Sequence, residues 1–138
     1  MTLLEQLKKA NIEALRGKDK DSRAILSVVI NKVTVKEKEH NTTISDEDVL
    51  TIVIKAYKEL EEEKIGYEHV NNLERVNGIN LQMKALDSYI PAQLSEDEIK
   101  EEIANLSDKS LPNIMKHFKM NFAGRADLSI VSRIARSL

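Results

Sequence analysis

The sequence predicts an all-α protein: a helical N-terminal lobe over residues 1–90, followed by a C-terminal three-helix bundle over 91–138. Three observations predict it. Apolar residues recur at i, i+3, i+4 and i+7 through most of the chain, the repeat of a helix with one buried face. A serine or threonine followed three residues later by an acid opens several of these runs, as in Thr2 with Glu5, Ser45 with Asp48 and Ser95 with Glu98, which is the pattern of a helix N-cap. Strand and hairpin-turn signals are scarce.

Taken in order, Thr2 caps a first helix over 3–16, in which Leu3, Leu7, Ala10 and Ala14 share a face before Gly17 ends it. Residues 25–35 are rich in β-branched side chains, and Val29, Asn31, Val33 and Val35 alternate as they would in a strand. Leu26, Val29, Ile30 and Val33 nevertheless fit the helical template and no partner strand follows, so the stretch is assigned to a helix. A polar loop over 40–43 leads to Ser45, with Ile44 and Val49 placed as a hydrophobic staple. The third helix is the longest, with Val49, Ile52, Val53, Ala56 and Leu60 on one face; Lys55 with Glu59 and Lys58 with Glu62 are spaced as i, i+4 ion pairs. Gly66 and Asn71-Asn72 are expected to break or kink it. A fourth helix over 73–89 contains Gly78, which costs about 1 kcal/mol of helical stability.

Pro91 has no backbone N–H and holds Ile90 in extended geometry, so the fourth helix must stop before it. Ser95 and Glu98 then form a capping box, with Leu94 and Ile99 as its staple. Gly124 suits the left-handed residue after a helix, and Asp127 suits the N-cap of the last one. The three terminal helices, over 96–106, 111–122 and 128–138, present Ile99, Ile103, Ile114, Phe118, Val131 and Ile134 for a common core. Helix caps account for Pro91, Ser95, Gly124 and Asp127. They do not account for Arg125, since neither a cap nor a turn requires arginine there.

Chemistry is hard to assemble from these residues. The chain has no cysteine, which removes disulfides, thiolate nucleophiles and zinc-thiolate sites. His40, His69 and His117 are too far apart in sequence for a helical ligand pair, so neither a metal site nor a cofactor is expected. The runs Glu61-Glu62-Glu63 and Glu96-Asp97-Glu98 read as solvated or dipole-favouring helix residues. There is no nucleophile elbow, phosphate-cradling loop or dinucleotide fingerprint. The longest apolar segments, such as Val28-Val29-Ile30, are far too short to span a bilayer. No apolar secretory core opens the chain, so a cytoplasmic protein is expected.

Charge is uneven. Residues 109–138 hold six basic residues and one acid, a local +5 that leaves −7 on the rest of a chain whose total is −2. Lys116 and Lys119 lie away from the Ile114, Met115, Phe118 stripe, and Arg133 and Arg136 lie opposite Val131 and Ile134. With Arg125 between the two helices, these cations would form one basic surface suited to phosphates. Aromatic residues are few, and Phe118 and Phe122 belong to the core, so backbone or shape recognition of a folded RNA fits better than base stacking.

The segment Tyr89-Ile90-Pro91-Ala92-Gln93-Leu94-Ser95 and the turn Gly124-Arg125-Ala126-Asp127 together resemble the YqeY-like proteins and the homologous GatB tail of the aspartyl/glutamyl-tRNA amidotransferases. The resemblance extends over nearly the whole chain. It implies an all-α accessory protein of the glutamine-dependent tRNA amidotransferase system, a carbon-nitrogen ligase system, in which the tail helps to hold tRNA while the chemistry sits on other domains and subunits. On that basis Arg125, Lys116, Lys119 and Arg133 are the candidate RNA-binding residues, and tRNA or an amidotransferase the expected partner. The chain departs from the family pattern at Leu111-Pro112, where methionine-glycine is common, at Ala123, where lysine is common, and at Leu128, where glycine is common; the missing lysine removes one phosphate contact. The alternative is a protein-interaction module acting through the N-terminal helices without RNA. Oligomeric state is left open by the sequence.

Overall fold

The computed structural model describes residues 1–122 and 124–138, so Ala123 lies outside the described residues. Seven helices and no strand occur among them: α1 (Leu3–Arg16), α2 (Lys20–His40), α3 (Asp46–His69), α4 (Leu73–Asp87), α5 (Glu96–Ala104), α6 (Leu111–Asn121) and α7 (Leu128–Ser137). They fall into two compact units, Met1–Ile90 and Pro91–Leu138.

In the first unit α1 packs on α2 and α3, and α4 packs on the same two helices. The β-branched stretch of α2 is helical because one face of it is claimed by the core: Ile25, Leu26, Val29 and Val33 are buried against Leu7, Val53, Leu60 and Leu86. Burial of that face outweighs the small helix-propensity penalty of valine and isoleucine. Thr2, Asp19, Ser45 and Asn72 each accept a backbone N–H as N-caps of α1 to α4. The Leu3 N–H is satisfied by the Asp46 carboxylate at 3.1 Å, joining the starts of α1 and α3. Burial raises the pKa of Tyr57 above the ordinary tyrosine value, with the charge of Asp87 and a hydrogen bond to it, which link α3 to α4, adding to the effect.

Two local expectations are revised. Gly66 does not break α3, which runs on to His69; the stop comes before Asn71, which is in left-handed conformation with φ 56°. The first helix ends at Gly17 as expected, and the left-handed residue that follows is Lys18 with φ 55°. Lys55 does not pair with Glu59, because Lys32 of α2 reaches Glu59 across the helix pair at 3.3 Å.

In the second unit α5 to α7 close around Ile99, Ile103, Ile114, Phe118, Val131 and Ile134, with Leu94 and Phe122 packed at the edge. Both halves of the Ser95–Glu98 capping box are made. Pro112 falls in the first turn of α6, where a missing N–H costs nothing. Asp127 caps α7, accepting from the Ser129 N–H at 2.9 Å.

Candidate nucleic-acid interface

The two motifs that stand about 30 residues apart in sequence form one piece of structure. Gly124 takes the left-handed conformation, φ 75°, and turns the chain so that the next peptide meets the segment after Pro91. The Leu94 N–H donates to the Arg125 carbonyl at 2.8 Å, and the Gln93 side-chain amide donates to the carbonyls of Gly124 and Pro91. Arg125 completes the set: its Nε–H donates to the Ala92 carbonyl at 3.2 Å, and its guanidinium carbon lies 5.6 Å from the centre of the Phe122 ring. The arginine left over from the capping pattern thus has a structural partner, which local reading could not find because Ala92 lies 33 positions away.

Electrostatics around this turn are mixed. The Glu98 carboxyl is held below its ordinary value, chiefly by the backbone and side-chain hydrogen bonds of Ser95 and secondarily by the charge of Arg125. Arg133 forms an ion pair with Glu96 on α5, so part of its charge is neutralised in place. Lys116 and Lys119 differ: both are exposed on α6, opposite the buried Ile114 and Phe118, and neither has an ion-pair partner among the described residues. Arg136 is likewise exposed on the last turn of α7. Of the four candidate residues, two are tied into the bundle and two stand free on one helix. The unit Pro91–Leu138 as a whole is charge-balanced, seven basic against seven acidic residues, with five of the acids on α5.

A further polar pair was missed by sequence reasoning. His117 Nε2 lies 2.9 Å from Glu102 Oε1, joining α6 to α5, while the Asn121 amide reaches His117 Nδ1 at 3.2 Å. An amide N–H at Nδ1 makes that nitrogen an acceptor, so Nε2 carries the proton and donates to Glu102. The ring meets Phe118 and Phe122 edge-on, at 5.5 and 5.8 Å between centroids. The pair is 15 residues apart, beyond any local pattern. Among the described residues no group of three histidine or acidic side chains is placed to hold a metal ion, and no helix is long and apolar enough to cross a membrane.

The family model of the Yqey-like proteins matches residues 4–138. The chain belongs to the YqeY-like family. That match takes in α1 from its second residue, all of α2 to α7, and the Pro91–Leu94 segment and Gly124–Arg125 turn that hydrogen-bond to each other. No curated protein matches the chain. Of the positions expected to depart from the family pattern, two are accommodated locally, Pro112 in the first turn of α6 and Leu128 as the first residue of α7. The third, Ala123, lies outside the described residues.

Proposed function

We propose that this YqeY-like protein is a non-catalytic accessory module that contacts tRNA or another structured RNA through the cations of its C-terminal bundle. The observation that carries the reading is the exposed Lys116–Lys119 pair on α6, unpaired among the described residues. Free ammonium groups on a rigid helix face attract phosphates without needing to break an existing ion pair. Arg125 adds its outer guanidinium nitrogens, pre-oriented by the Ala92 bond. Arg133 contributes less, because a phosphate must compete with Glu96 for it. The family resemblance supports tRNA as the first RNA to test and an amidotransferase as the assembly to which it would be delivered; the reading asks no catalysis of this chain.

Fluorescence anisotropy with labelled tRNA at low ionic strength tests it. Affinity should fall with salt at a log-log slope of about −2 to −4, the range for two to four phosphate contacts. Lys116→Ala with Lys119→Ala should weaken binding about tenfold and leave the melting temperature unchanged, since exposed substitutions alter stability by only about 0.5 kcal/mol. Absence of salt-sensitive binding by the wild-type protein would remove the RNA reading.

A further inference from the structure

The charge pattern of the first unit contains a feature that the RNA reading does not use. Lys32 spends its ammonium on Glu59, and so Lys55, the expected partner of Glu59, is left without one among the described residues, as is Lys36 one turn along α2. Both flank a hollow of about 350 Å³ between α2 and α3 whose lining includes Val35, Ile52 and a single acid, Glu39. A second hollow of about 190 Å³ adjoins it, with Val28 at its lip, and shares Lys32 with the first. The two hollows thus lie along α2 and α3 with the Lys32 side chain lining both.

Two properties of the groove define what fits it. Val28 and Val35 are 45% and 46% exposed, large apolar side chains offered to solvent. They stand seven residues apart on α2, two helical turns or about 10.5 Å, which is the anchor repeat of a helix laid in a groove. Around the second anchor the local charge is +1, from Lys36 and Lys55 against Glu39, Lys32 being neutralised by Glu59, within a unit that carries 14 basic and 16 acidic residues. The apolar lining and the Glu59 and Glu63 carboxylates of the smaller hollow disfavour a phosphate backbone.

We propose that the α2–α3 groove docks an amphipathic helix of a partner protein, with two apolar anchors two turns apart and carboxylates flanking the anchor that enters between Lys36 and Lys55. The site stands on the first unit alone and is independent of the cations on α6 and α7.

The test is an amide-shift titration by NMR of the full chain. The probe is a synthetic helical peptide of about 18 residues, long enough to hold a helix, with leucines two turns apart and glutamates around the second; a control carries lysines in their place. The glutamate peptide should shift amides within 24–39 and 52–63 and leave the second unit unmoved. Lys36→Glu with Lys55→Glu, whose melting temperature should match the wild type, should lose about tenfold in affinity for it, the summed effect of two surface ion pairs, and should gain affinity for the lysine peptide. Equal binding of both peptides, shifts elsewhere, or no shift would overturn the proposal. So would concentration-dependent dimerisation that covers the same amides, which would make a second copy the occupant, or salt-sensitive shifts of these amides by tRNA. Loss of tRNA binding with retained peptide binding would remove the RNA reading and leave this one standing.

Discussion

Arg125 illustrates how a single side chain serves two ends. Its Nε–H holds the Ala92 carbonyl and its guanidinium carbon lies 5.6 Å from the centre of the Phe122 ring, so Arg125→Ala should destabilise the second unit by about 0.5–1.5 kcal/mol, the worth of one ordinary hydrogen bond. Arg125→Lys keeps the charge and gives up the forked geometry. If the arginine acts on RNA mainly as a cation, the lysine variant keeps most of the tRNA affinity while melting as early as the alanine variant; thermal melts beside anisotropy separate the two roles. Three carboxylates set the acid limit. Asp19, Glu98 and Asp108 are all held below their ordinary values by hydrogen bonds from Ser22, Ser95 and Ser110. A depressed native pKa means that the unfolded chain binds more protons, so the stabilisation is complete above the ordinary values of 3.8 and 4.5 and is lost as pH falls through the lower native ones. Melting temperature should therefore hold down to about pH 5 and then drop, and Glu98→Gln should make that drop shallower.

At the scale of elements, caps and glycines give opposite expectations. Ser95→Ala removes one half of the box at the start of α5 and should cost about 1 kcal/mol. Gly66 and Gly78 sit inside helices: an added Cβ meets nothing within 4 Å at Gly66 and only the Asp21 carboxylate, at an ordinary 3.5 Å, at Gly78. Gly66→Ala should therefore stabilise the chain by about 0.5–1 kcal/mol, measured by urea unfolding with an unchanged slope. The Pro91–Leu94 segment has no helix of its own, yet its polar groups are bonded to the turn at Gly124 and Arg125. Cleavage at Ala92–Gln93 in limited proteolysis should accelerate in Arg125→Ala, because opening that segment then breaks one bond fewer.

At the scale of the molecule, each unit has a core of its own. The first is built from aliphatic side chains of α1 to α4, the second around one fully buried aromatic, Phe118. A 48-residue unit, Pro91–Leu138, lies near the size at which a hydrophobic core alone suffices. Phe118→Ala removes a contribution of about 3–5 kcal/mol and should melt α5 to α7. NMR should then show dispersed amides for Met1–Ile90 and collapsed ones for Pro91–Leu138.

What the sequence determined by itself is local. Helix caps and apolar repeats depend on neighbours within four positions, and they find all seven helices, although α2 runs five residues beyond each end of the stretch read as helical; the capping box at Ser95, the left-handed Gly124 and the cap at Asp127 stand where their spacing requires. The Tyr89–Ser95 and Gly124–Asp127 motifs also carried the family. Tertiary structure decided everything that turns on which residue reaches another across the chain. Glu59 goes to Lys32 rather than Lys55, Glu96 takes Arg133, Glu102 takes His117, and Arg125 closes on Ala92. Each of these partners lies 15 to 37 residues away, and a charged side chain's spacing in sequence says nothing about its competitors in space. That competition separates cations still free to meet a phosphate or a partner's carboxylate, such as Lys116 and Lys36, from those already committed to the fold.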